Sequence, residues 1–234
     1  MKINVNYLEA HPTNMWNRNG MKIEYIVVHY VGAVSTAKNN ADYLHRDANL
    51  GWSAHYFVDE ESIWQSVPLN MSAGHCGVDY SGGKAPYWGK VQEQNSIGIE
   101  MCCKMDKEGL WYIEPKTVDK TVELVKYLME TQNIPAANVL RHFDVCWKTC
   151  PEPWVRDQNQ WYDFKKRLEV KPVETWEDIA IRKAKEYAIS DGSRPEETCT
   201  RVEAMAMAER AADYAVKTVV EMLWEAYENM RKEG

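Results

Sequence analysis

The apolar and polar positions divide the chain into short blocks. Residues 23–31, IEYIVVHYV, are β-branched and aromatic almost without a break, which predicts a strand buried on both faces, with His29 near its end. In AKNNADYLHRDANLG, Ala37, Ala41, Leu44 and Ala48 recur at helical spacing, and Gly51 follows the polar end. AHYFV (54–58) and SIWQSV (62–67), separated by Asp59, Glu60 and Glu61, read as a hairpin with a polar turn. Residues 70–94 are rich in Gly, Ser, Pro and aromatics and predict a long surface loop of the kind that lines a groove.

NSIGIEMCC (95–103) predicts another strand, whose alternation puts Ile97, Ile99 and Met101 on one face and Gly98 and Glu100 on the other. In KTVDKTVELVKYLMETQN, Val118, Val122, Val125, Leu128 and Met129 form one helical stripe, with Pro135 expected to close it. A strand VLRH then delivers His142. Strands alternating with helices imply an α/β domain with a mixed central sheet flanked by helices, spanning 1–168.

Residues 169–176, containing VKPVET, read as a linker. Beyond it the composition turns to Ala, Glu, Met and Lys with no strand signal, which predicts a small all-α domain over 177–234. Two helices are expected, roughly 175–189 and 199–231, joined by SDGSRPEET and with Thr198 or Thr200 as cap of the second. In the second, Ala212, Val216, Val219, Leu223, Ala226 and Met230 follow steps of four and three, a seam that wants either the first helix or a second chain, as in a homodimer.

Composition narrows the function classes. A hydrophobic fraction of 45% can build a core, while a net charge of −7 and a pI near 5.5 count against a protein whose affinity comes from neutralising phosphates; nucleic acid is set aside. No apolar run reads as a signal peptide, and none approaches the roughly 18 residues of a membrane span. The expectation is a chain made in the cytoplasm without membrane insertion, whose six cysteines serve as thiols or metal ligands rather than staples.

The segment RHFDVCWKTCPEPW (141–154) concentrates the chemistry. His142 and Cys150, eight residues apart, suit a strand end and the loop returning to it, and His29 becomes a third ligand if its strand neighbours that of His142. Two imidazoles and a thiolate are a donor set that zinc accepts while keeping a position open for water. A Cys146–Cys150 disulfide and a Cys150–His142 nucleophile pair stand beside this reading as alternatives.

Five stretches, VVHY around His29, WSAHYFVDEESIWQSVPL, AGHCG, NSIGIEMC and RHFDVCWKTCPEPW, follow one another in the order and at the separations of the type 2 N-acetylmuramoyl-L-alanine amidases. The chain resembles this zinc amidase family, which includes many phage endolysins and is similar in fold to the peptidoglycan-recognition proteins, over residues 20–165. The resemblance implies one catalytic Zn2+ held by His29, His142 and Cys150. It implies Glu100 as general base and Lys148 as the cation that stabilises the oxyanion. The substrate it implies is bacterial peptidoglycan, cut between N-acetylmuramic acid and L-alanine of the stem peptide. His75, Tyr87 and Trp88 are the substrate-contact candidates on the loop before the third long strand. Two positions depart from the pattern: Ala54 stands where many members have tyrosine, which shifts weight onto Glu100 and Lys148, and Trp147 stands where glycine is common.

Residues 179–212 resemble a single S-layer-homology-like repeat, which implies a secondary cell-wall polymer as ligand. The leading expectation is a phage or prophage endolysin released to the wall with a holin. A cytoplasmic muropeptide-recycling amidase shares the chemistry without a use for the extra domain, and a non-catalytic peptidoglycan receptor is disfavoured by Cys150.

Overall fold

The structure, a computed structural model, describes residues 3–169 and 201–233. The chain divides into two units, residues 1–169 and 170–234, each described by itself.

In the first unit the apolar run at 23–31 becomes β3 (Tyr25–Val34), with Ile26, Val27, Val28 and His29 all buried. β7 (Ser96–Met105) lies parallel along one side of it and β9 (Val139–Arg141) parallel along the other. β4 (Tyr56–Val58) is parallel to β7, and its hairpin partner β5 (Ile63–Gln65) turns back antiparallel, as the pattern predicts. β1 (Asn6–Tyr7) completes the order β1-β5-β4-β7-β3-β9, with β8 (Trp111–Tyr112) on the end of β7. β2 (Trp16–Asn17) and β6 (Met71–Ser72) pair in a separate small sheet.

Helices cover both faces. α2 (Pro115–Gln132) and α5 (Gln158–Leu168) bury Val122, Leu124, Val125, Leu128, Trp161, Phe164 and Leu168 against Ile26, Val28, Ile97, Ile99 and Met101. α1 (Ala37–Arg46) packs Ala37, Ala41 and Leu44 around Phe57 on the other face. Its N-terminus is held by Thr36, whose side chain accepts from the Asn39 N–H.

Three boundaries differ from the sequence pattern. α1 ends at Arg46, so Ala48 falls outside it and is exposed; the chain leaves through Asp47 and a left-handed Asn49. α2 ends before Pro135, because Asn133 adopts φ 53 and its N–H caps Met129 O. His142 does not extend β9: it opens a short helix, α3 (His142–Cys146).

Arg18 lies buried in the N-terminal segment. It donates to the carbonyls of Leu69, Gln94 and Ser96, with Nη2 2.7 Å from His55 Nε2. Burial holds its pKa down at about 10.

In the second unit, α6 runs from Arg201 to Glu233, matching the longer predicted helix, with Val216, Val219 and Leu223 exposed. The expected linker, the helix at 175–189, the Thr198 and Thr200 cap positions and most of the S-layer-like stretch lie outside the described residues. Among the described residues no helix is long and apolar enough to cross a membrane.

Candidate metal centre

Parallel strands put their carboxyl ends on one edge of the sheet, where side chains from separate strands converge. Here β3 supplies His29, β7 supplies Glu100 in register beside it, and β9 runs into α3 with His142 at its start. Cys150 is brought back by a tight loop. Trp147 takes a left-handed conformation (φ 65) at the end of α3, and the Phe143 N–H donates to Cys150 O at 2.8 Å. Arg141 braces this loop by bonding Asp144 and Trp154 O.

One donor atom from each of His29, His142 and Cys150 lies within 4.8 Å of the others, and all three residues are buried. Cys146 and Cys150 are both free thiols, which sets aside the disulfide. His29 Nδ1 lies 3.7 Å from Cys150 Sγ and 4.0 Å from Glu100 Oε1. Neither ring nitrogen of His142 has a partner, and Glu100 Oε2 is also buried without one. Buried polar atoms left unpaired cost stability unless something else satisfies them. A cation among these three residues would satisfy the orphaned imidazole, and the nitrogen–nitrogen–sulfur set suits zinc.

The electrostatics are those of a dry pocket. Burial, with help from His142, His75 and Lys148, holds His29 far below the usual imidazole range, and burial with Lys148 takes His142 down to about 3. Burial pushes the Cys150 thiol up, with Glu100 adding to it. Burial also raises the Glu100 carboxyl to about 8, against the pull of Lys148. A bound divalent cation reverses this logic for a coordinating thiol, which it deprotonates.

The centre opens into a cleft of about 320 Å³ lined by Tyr30, Trp52, Phe57, His75, Glu100 and Lys148, among others. Lys148 is exposed, its Nζ 6.0 Å from the Tyr80 ring. His75 lines the cleft, but its nitrogens point inward to His29 and Ser96. Tyr87 and Trp88 are half-buried against Val27, Cys76, Val91, Leu140, Val145 and Cys146, and neither is among the cleft-lining residues. Tyr30 and Trp52 escaped the sequence reading. Tyr30 directly follows His29, a signal that was there to find; Trp52 carried no local signal.

Residues 19–153 match the family model described as N-acetylmuramoyl-L-alanine amidase, and the chain belongs to that family. It is 30% identical over 171 residues to the N-acetylmuramoyl-L-alanine amidase BlyA of Bacillus subtilis strain 168, an alignment covering 68% of this chain and 46% of that protein. Against the amidase CwlL of Bacillus licheniformis the identity is 32% over 170 residues, covering 67% and 44%. The chain thus spans a little under half the length of these relatives. Among solved structures, PlyL superposes with a TM-score of 0.56 at 26% identity, covering 74% of this chain and all of PlyL. The catalytic domain of XlyA does so with 0.55 at 27%, covering 71% and 100%.

Proposed function

We propose that this protein is a zinc-dependent peptidoglycan hydrolase that cleaves the amide between N-acetylmuramic acid and the L-alanine of the stem peptide, acting as a phage or prophage endolysin. The observation that carries the reading is the buried His29–His142–Cys150 cluster with Glu100 beside it at the mouth of a cleft. His29, His142 and Cys150 hold the ion. When bound, zinc supplies a Lewis acid that polarises the scissile carbonyl and acidifies water.

Glu100 removes the proton from the attacking water and returns it to the leaving amine of alanine. A raised pKa suits that task, since it makes the carboxylate a better base and its acid form a usable donor near neutral pH. Lys148, at the edge of the cleft, stabilises the charge that develops on the carbonyl oxygen. The aromatic side chains of Tyr30 and Trp52 offer apolar walls to an extended stem peptide.

Residues 1–168 form the catalytic domain in this reading, and 177–234 anchor the enzyme to a secondary wall polymer or to a second copy of the chain. The exposed Val216, Val219 and Leu223 of α6 support an associating role. Full-length protein is then expected to bind walls better than a chain ending at residue 170; equal binding and lysis would remove the anchoring role.

The test is release of new N-terminal alanine from purified Gram-positive walls. Wild type should release it, lose the activity on chelation and regain it with zinc, while Cys150→Ser stays inactive. Cleavage of soluble muropeptides with walls untouched would turn the reading to recycling, and wall binding without cleavage would make the protein a receptor.

A further inference from the structure

The Ser96 hydroxyl has one proton. It donates to the Gln92 carbonyl at 2.6 Å, and a carbonyl can only accept. Ser96 Oγ is therefore an acceptor toward its other neighbours, His75 Nε2 at 3.2 Å and the Cys76 thiol at 3.9 Å. His75 must carry its proton on Nε2, which leaves Nδ1 of the uncharged ring bare. That bare Nδ1 lies 3.0 Å from His29 Nε2, so His29 in turn carries its proton on Nε2. His29 Nδ1 is then the free lone pair, on the side facing Cys150 and Glu100.

Three further features hold His75 in place. A Cβ on Gly98 would fall 2.6 Å from His75 Cγ, so only glycine leaves room for the ring at that point of β7. The Glu93 carboxylate accepts from the backbone N–H groups of His75, Cys76 and Gly77. A Cβ on Gly77 would in turn collide with Glu93 Oε1 at 2.7 Å.

We infer that His75 is a positioning residue: the chain Gln92 carbonyl, Ser96, His75 fixes the tautomer and ring orientation of His29, presenting Nδ1 to the metal. This deepens the zinc amidase reading and rests on it. It also gives a reason for a histidine, a serine and a glycine on this side of β7 that do not touch substrate. Partners behind a ligand imidazole typically govern metal affinity by roughly 10- to 100-fold.

The test uses the full chain with zinc as the probe. Ring-nitrogen NMR of the zinc-loaded wild type should show His29 bound through Nδ1 with a protected Nε2–H. His75→Phe keeps a ring but loses the acceptor, and should weaken zinc roughly 10- to 100-fold in chelator competition. His75→Asn, whose amide oxygen replaces the acceptor, should restore most of that, and Ser96→Ala should give a smaller loss. Should His75→Phe fail to fold, the wild-type spectrum and Ser96→Ala decide. Binding of His29 through Nε2, or zinc affinity unchanged in the Phe variant, would overturn the inference while leaving the amidase reading intact. A wild-type chain that binds no zinc would overturn both.

Discussion

Ile97, Ile99 and Met101 of β7 lie fully buried beneath α2, whereas Ser96, Gly98 and Glu100, one residue out of step, face the candidate centre. The backbone is continuous and the hydrogen-bonded ladder serves both sets. What separates them is how each is held. The odd side is held by area removed from water, which tolerates some repacking. The even side is held by donors and acceptors that must match one to one, and by a missing Cβ. Stability and chemistry are therefore carried on the same ten residues by different physics, and substitutions can address one without the other.

The largest separation is expected at Glu100. Glu100→Gln should lower alanine release by roughly 10²- to 10⁴-fold while the unfolding midpoint and zinc content stay at wild-type values; a matching loss of stability would mean that the two sides are not separable. Ile99→Ala should do the reverse, costing roughly 2–5 kcal/mol in denaturant unfolding, with the folded fraction retaining its zinc and turnover. Gly98→Ala tests the boundary itself. Its Cβ lies on the even side, so it should cost about 1–3 kcal/mol through displacement of His75 and also weaken zinc, whereas a variant with unchanged zinc affinity would show that the ring can move aside. The smallest effect is expected away from β7, at Trp147, a non-glycine residue at φ 65 that is 44% exposed. Trp147→Gly should raise stability by up to about 1 kcal/mol, read as a small shift in melting temperature, because glycine takes that conformation without a Cβ clash.

Much of this was legible in the chain. The two-residue period of NSIGIEMCC already separates Glu100 from the isoleucines, since a strand can only alternate. The centre needed one more fact, that β3 lies between β7 and β9, and alternation within a strand says nothing of which strands are neighbours. The resemblance supplied what local pattern did not. His75 was noticed as a histidine near the site, but its direction depends on Ser96 and Gly98 from a different element, so sequence alone pointed it toward substrate. Tyr87 and Trp88 were read from composition as groove wall, although a small cluster including Val27 and Leu140 takes up part of their surface. Arg18 gave no signal at all, being a single arginine in a polar stretch.

That arginine bears on where an independently folding piece of this protein begins. Its guanidinium ties together carbonyls at 69, 94 and 96, and no carboxylate pairs with it among the described residues. The match to the family begins one position later, at residue 19. A fragment cut at that border would keep every proposed ligand and still lose the cation that fastens the segments on either side of His75. The shortest autonomous unit thus reaches upstream of the stretch that relatives share.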